Sequence, residues 1–197
     1  KTFQVIGNNF QNNHTGVFVA GVNDNVIVDN HFEIGLSSYD MDDCEGTPNG
    51  FGVDMQIANG FAVEENYFTK NSTAPNGNYY GVRVFSCPSE NDVIYKNTFV
   101  QLFVANQAEK TNRRNFYNDK TGVTYECNEN YANSYDFYIA DSSCIRGNVG
   151  TDQIPSGNVL TDTSISIVQF QNDFTQDVRY YFNQNEPDEW LLEYSDY

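Results

Sequence analysis

The chain has 197 residues and sets 10 Lys+Arg against 27 Asp+Glu, a formal charge of −17. That field repels phosphate backbones and anionic membrane surfaces, and no apolar run approaches the roughly 18 residues of a spanning helix. Aromatic residues at 15% supply enough apolar surface to exclude disorder, while 27 Asn with only 5 Leu and 8 Ala argue for one β-rich, turn-rich domain rather than a helical one.

The opening Lys1-Thr2-Phe3-Gln4 holds neither an initiating Met nor a signal-peptide pattern, which reads as a mature or excised piece of a longer protein. From there an apolar-x-x-Asn-x-Phe pattern recurs along the chain. Its copies begin at Val5, Ile27, Val63 and Ile94, with degraded copies at Tyr125 and Ile145. The repeated amides are Asn8, Asn30, Asn66, Asn97, Asn128 and Asn148. Between them lies a second short strand pattern: Gly16-Val17-Phe18-Val19, Gly52-Val53-Asp54-Met55, Gly81-Val82-Arg83-Val84, Leu102-Phe103-Val104-Ala105 and Asp136-Phe137-Tyr138-Ile139. Short strands joined by Asn, Asp and Gly turns at this period predict a right-handed parallel β-helix of about six coils over residues 1–160. A β-sandwich gives no reason for the repeated Asn-x-Phe, and a propeller blade needs about 40 residues.

In such a stack each strand pairs with its equivalent about 4.8 Å away. The repeated Asn is expected at a left-handed turn, its amide bonding to the Asn of neighbouring coils, with the Phe two residues on forming an internal column. Both are read as structural. Residues 161–197 alternate differently. Ile165–Phe170 and Val178–Phe182 predict two longer strands, which a hairpin through Gln171–Thr175 would join, acting as a C-terminal β-strand cap that covers the open end.

The run Thr121-Gly122-Val123-Thr124-Tyr125-Glu126-Cys127-Asn128, with Tyr135-Asp136-Phe137-Tyr138-Ile139-Ala140, Gly147-Asn148-Val149-Gly150 and Pro155-Ser156-Gly157-Asn158, resembles large secreted β-helix-repeat proteins of Bacteroidota. Val178-Arg179-Tyr180-Tyr181-Phe182 is similar to the segment that follows their helix. The resemblance spans roughly residues 3–185. It implies type IX secretion and an extracellular or cell-surface location. It also implies a structural or adhesin-like role, with other segments of the same large protein or another surface protein as partners.

The rival class is a carbohydrate-active β-helix, either a polysaccharide lyase or hydrolase or a glycan-binding module. The hydrolase motifs Gly-His-Gly and Arg-Ile-Lys are missing, and no catalytic residue is assigned. β-Elimination needs a base, and Arg83 and Lys96, the basic residues beside the central strands, have no matching partner in the sequence. A face gathering two carboxylates with an Arg or Lys would favour this class. Tyr39, Tyr79, Tyr80 and Tyr117 are candidates for stacking on sugars. Asp40, Asp42 and Asp43 form the densest acidic cluster and are the candidate ligands for Ca²⁺, outweighed by a solvated loop. Of the four cysteines, Cys44 and Cys87 are the preferred disulfide pair, both lying in excursions from the repeat. Lys110, Arg113, Arg114 and Lys120 make one basic patch on an acidic body.

Overall fold

The computed structural model describes residues 2–36, 49–89, 92–114, 121–140, 143–161, 168–173 and 178–181. Among these, every regular element is a strand. Five successive units each hold three. They are β1 (Gln4–Ile6), β2 (Asn9–Asn13) and β3 (Thr15–Ala20); β4 (Val26–Val28), β5 (His31–Ile34) and β6 (Asn49–Gln56); and β7 (Ala62–Glu64), β8 (Tyr67–Lys70) and β9 (Asn78–Phe85). The fourth unit has β10 (Val93–Tyr95), β11 (Thr98–Val100) and β12 (Val104–Glu109), and the fifth β13 (Thr124–Glu126), β14 (Glu129–Tyr131) and β15 (Tyr135–Ile139). The chain then adds β16 (Asn148–Val149), β17 (Val168–Asn172) and β18 (Arg179–Tyr180).

Strands three apart in sequence pair in parallel, building three stacked sheets, β1-β4-β7-β10-β13, β2-β5-β8-β11-β14 and β3-β6-β9-β12-β15, and β17 adds to the end of the third. The first sheet uses strands of three residues whose middle side chain points inward. Val5, Ile27, Val63, Ile94 and Tyr125 are therefore in register, and the last four are buried.

A two-residue corner joins each first-sheet strand to its second-sheet neighbour, and here the expected backbone is displaced by one residue. The left-handed residue is the one before the Asn: Gly7 (φ 64), Asp29 (φ 56), Glu65 (φ 54), Lys96 (φ 53), Cys127 (φ 55) and Gly157 (φ 66). The Asn must aim both its backbone N–H and its side chain along the stack, so its predecessor takes the turn. For a residue with a Cβ that conformation costs about 1 kcal/mol.

The amides then form a continuous column. Asn97 donates its backbone N–H (3.0 Å) and Nδ2 (3.1 Å) to Asn128 Oδ1, and Nδ2 also donates to Val63 O at 2.8 Å. Its own Oδ1 accepts the same pair of bonds from Asn66. The pattern runs through Asn8, Asn30, Asn66, Asn97, Asn128 and Asn158. Asn148 is not a member. It lies in β16, paired with Arg179, and the sixth place falls to Asn158, 30 residues beyond Asn128.

Beside this column Phe10, Phe32, Phe68 and Phe99 stack at 4.7, 4.8 and 4.9 Å between centroids, with planes within 7° of parallel. Sheet three makes room with a row of glycines. A Cβ at Gly52 would lie 2.5 Å from Phe68 Cδ1 and 2.8 Å from Gly81 O, and Gly16 and Gly81 are as tightly enclosed. In β12 the register differs from the expected one. Ala105, not Leu102, stands beside Gly81, and the strand runs on to Glu109. The C-terminal strands form no hairpin: β17 pairs in parallel with β15 and β18 with β16.

Candidate functional site

The outward face of the third sheet brings charged and aromatic side chains into rows, because parallel in-register pairing places equivalent positions side by side. One row reads Phe18, Asp54, Arg83, Gln107, Tyr138 and Gln171. A second reads Thr15, Phe51, Tyr80, Val104, Tyr135 and Val168, and a third Ala20, Gln56, Phe85 and Glu109.

Arg83 is the centre. Its Nε donates to Asp54 Oδ1 at 3.0 Å and its Nη2 to Asp54 Oδ2 at 2.7 Å, a two-pronged pair, while Nη1 lies 3.8 Å from Glu109 Oε1. Its guanidinium carbon sits 4.5 Å from the Phe51 ring centre. Burial alone would lower the Arg83 pKa, but the bonds to Asp54 and the field of Asp54 and Glu109 reverse this and raise it. Gln56 Nε2 donates to Asp54 Oδ2 at 3.0 Å, and Gln107 Nε2 to Glu109 Oε1 at 2.9 Å. Gln107 Oε1 is buried with no donor among the described residues.

At the far end Tyr138 donates its hydroxyl to Asp173 Oδ2 at 2.6 Å. That bond, then burial, pushes the phenol up to about 12, so it stays a donor at every physiological pH. The aromatic residues of the second row pack together with Phe103 beside them: Phe51 and Tyr80 stack at 5.0 Å, Phe103 meets Tyr80 edge-on at 6.0 Å, and Tyr135 meets Phe103 edge-on at 5.4 Å.

Arg83 thus has the partners its neighbourhood in sequence does not reveal. The sequence reading missed Asp54, although Gly52-Val53-Asp54 aligns with Gly81-Val82-Arg83 one unit later. Glu109 was hidden by the register of β12. Lys96 lies 3.9 Å from Glu65, both well exposed, and contributes little.

Other expectations meet different outcomes. Cys87 is a free thiol buried in the core, donating to Phe85 O and Met55 O at 3.4 and 3.5 Å, and burial pushes its pKa up to about 11. Its side chain points inward, between Met55 and Phe85. Cys44 itself lies outside the described residues, as do Asp40, Asp42, Asp43, Tyr39, Tyr117 and Lys120. Among the described residues no three His, Cys, Asp or Glu side chains are grouped to hold a metal ion. Tyr79 is buried and donates to Pro75 O at 2.9 Å, so it offers no sugar a face. Arg113 is buried as well, which leaves the supposed basic patch without one of its charges.

Two interior carboxylates complete the electrostatics. Asp92 accepts from the amides of Gly60 (2.7 Å), Ser89 (3.1 Å) and Phe61 (3.4 Å), bracing the turn before β10. Burial nevertheless raises its pKa to about 7. Asp136 accepts from Thr161 N (2.7 Å), Thr161 Oγ1 (2.6 Å) and Asn133 Nδ2 (3.1 Å), and burial raises it to about 6. Both serve turns of the backbone and face no solvent.

The chain matches no family model, no curated protein and no solved structure.

Proposed function

We propose that residues 1–160 wind as a right-handed parallel β-helix of about six coils, continued by a C-terminal β cap, and serve as a rigid structural or adhesive module. The module belongs to a large secreted or cell-surface protein of the kind Bacteroidota export by type IX secretion. Its partners are neighbouring segments of that protein or another surface protein. The observation that carries this reading is the unbroken amide column from Asn8 to Asn158, which ties six successive units into one stiff stack.

A second reading, a carbohydrate-active β-helix, draws on Asp54 and Glu109 flanking Arg83 on one face. Catalysis is the weaker form of it. Both Asp54 oxygens are already bonded to Arg83, and the residue is only 4% exposed, which leaves it poorly placed to move a proton.

Antibody labelling and protease shaving of intact cells making the parent protein test the location. Surface labelling with loss of the epitope on shaving is expected, together with reduced adherence when the segment is deleted. Recovery of the protein solely from the cytosol would overturn the proposal.

A further inference from the structure

We propose that Asn76 is a site of self-modification: its side chain closes on the backbone nitrogen of Gly77 to give a succinimide, which water opens to aspartate or isoaspartate. The inference is independent of the module's role. Ring closure needs an Asn whose amide carbon can reach the next peptide nitrogen, and a following Gly, with no Cβ in the way, is the most permissive neighbour. Of the chain's 27 Asn, three precede Gly: Asn49-Gly50, Asn59-Gly60 and Asn76-Gly77. The fold treats the three pairs differently.

Asn59-Gly60 is pinned on both sides of its peptide. Asn59 O accepts from Asp24 N–H at 2.8 Å, Gly60 N–H donates to Asp92 Oδ1 at 2.7 Å, and Asn59 N–H donates to Asn23 Oδ1 at 3.1 Å. The attacking nitrogen is thus engaged, and the peptide turns towards the side chain only by breaking contacts to neighbouring units. Asn49-Gly50 opens β6. Asn49 is in register with Asn78 and Gly50 with Tyr79, and a Cβ on Gly50 would lie 2.9 Å from Ile34 Cγ2, so the paired backbone has little room to rotate.

Asn76-Gly77 has none of these restraints, although the turn between β8 and β9 is tied down on either side of it. Asn71 Oδ1 accepts from the N–H and the hydroxyl of Thr73, both at 2.9 Å, and Tyr79 donates to Pro75 O at 2.9 Å. Pairing resumes at Asn78, where β9 begins. Between these anchors Asn76 is exposed, and neither its side chain nor the Gly77 N–H bonds to any described residue. This pair alone is left to reach the ring-closing geometry without unfolding.

In the first step a bond forms between Gly77 N and Asn76 Cγ while the Cγ–Nδ2 bond breaks, Nδ2 leaving as ammonia with the Gly77 amide proton. Water then cleaves one of the two imide bonds. Breaking the bond to Cγ restores the chain and leaves aspartate. Breaking the bond to the Asn76 backbone carbonyl carbon reroutes the chain through the side chain as isoaspartate. Either product adds a negative charge beside β9, so this rim of the third sheet changes with the age of the molecule.

The test is incubation of the folded full chain in mildly alkaline buffer beside a urea-unfolded sample, followed by proteolysis and electron-transfer fragmentation. Trypsin, cutting after Lys70 and Arg83, isolates Asn76 from the other two pairs, and a second protease separates those. In the folded chain Asn76 should convert at least about tenfold faster than Asn49 or Asn59, with isoaspartate among the products, and unfolding should remove most of the difference. Asn76→Gln, whose longer side chain closes a larger and slower-forming ring, should abolish the conversion in that peptide. Three results would overturn the proposal: comparable conversion of Asn49 or Asn59 in the folded chain, an Asn76 that stays intact there while the unfolded chain converts it, or undiminished conversion in Asn76→Gln.

Discussion

The first four units and the fifth share one backbone plan but are filled by different chemistry. From Phe10 to Phe99 the space between the second and third sheets is occupied by a stack of rings, with Gly16, Gly52 and Gly81 giving way to them. In the fifth unit Asn130 stands where the Phe would be, and the glycine row becomes Ala105 in the fourth unit and Asp136 in the fifth. Asn106 replaces the valine of Val53 and Val82. Hydrogen bonds among Asn106, Asn133, Asp136 and Thr161 take over from ring stacking. Among the described residues, the side-chain oxygens of Asn106, Asn130 and Tyr125 stay buried without a partner. The backbone repeat is thus set by the Asn corner, and the filling can change from apolar to polar without altering the pairing.

The largest expected effect comes from the element both regions share. Asn97→Ala leaves Asn66 N–H, Val63 O and Asn128 Oδ1 short of partners inside the core, and should cost about 3–5 kcal/mol in urea unfolding. Asn8→Ala, at the exposed end of the same column, should cost less than about 1 kcal/mol. Equal losses at the two sites would show that the column is not the organising element.

Next in size is a substitution that separates the regions. Gly52→Ala drives a methyl into Phe68 and should cost about 2–3 kcal/mol. The fifth-unit counterpart of that glycine is already Asp136, so the fit is peculiar to the aromatic stretch. A Gly52→Ala, Phe68→Leu double variant should recover part of the loss by opening the space.

The remaining effect is in pH dependence, with one group, Asp136, at the polar end and one, Asp92, in the turn before β10. Asp136, raised from 3.8 to about 6, binds its proton more tightly folded than unfolded. Its contribution is full below pH about 4 and is lost as pH rises through about 6, a change of about 2–3 kcal/mol. Asp92, raised to about 7, acts in the same direction up to neutral pH. Unfolding midpoints from pH 4.5 to 7.5 should fall less steeply in Asp136→Asn than in the parent, a range set by these two groups. A parent curve that rises with pH across that range would contradict the assignment.

The division also explains what was legible in the sequence. The strands after Val5, Ile27, Val63 and Ile94 could be read because Asn-x-Phe repeats unchanged wherever rings fill the interior. Beyond Phe99 the second half of that signal is gone. Asn148 then looked like the next amide, although Asn158 holds the place ten residues later with Gly157 as its turn. The same loss concealed the register of β12, since Ala105 replaces the glycine that marks the earlier strands, and with it the approach of Glu109 to Arg83. The left-handed residue before each Asn could not be anticipated, because Asp, Glu, Lys and Cys all occupy it and share no common side-chain property.

Native-state hydrogen exchange tests the central claim most directly. The backbone amides of Asn30, Asn66, Asn97 and Asn128 donate to side-chain oxygens of the next Asn rather than to any strand. They should exchange as slowly as the strand amides of Val63 and Ile94 and open only with global unfolding. Exchange at the rate of exposed turn amides would contradict a continuous amide column.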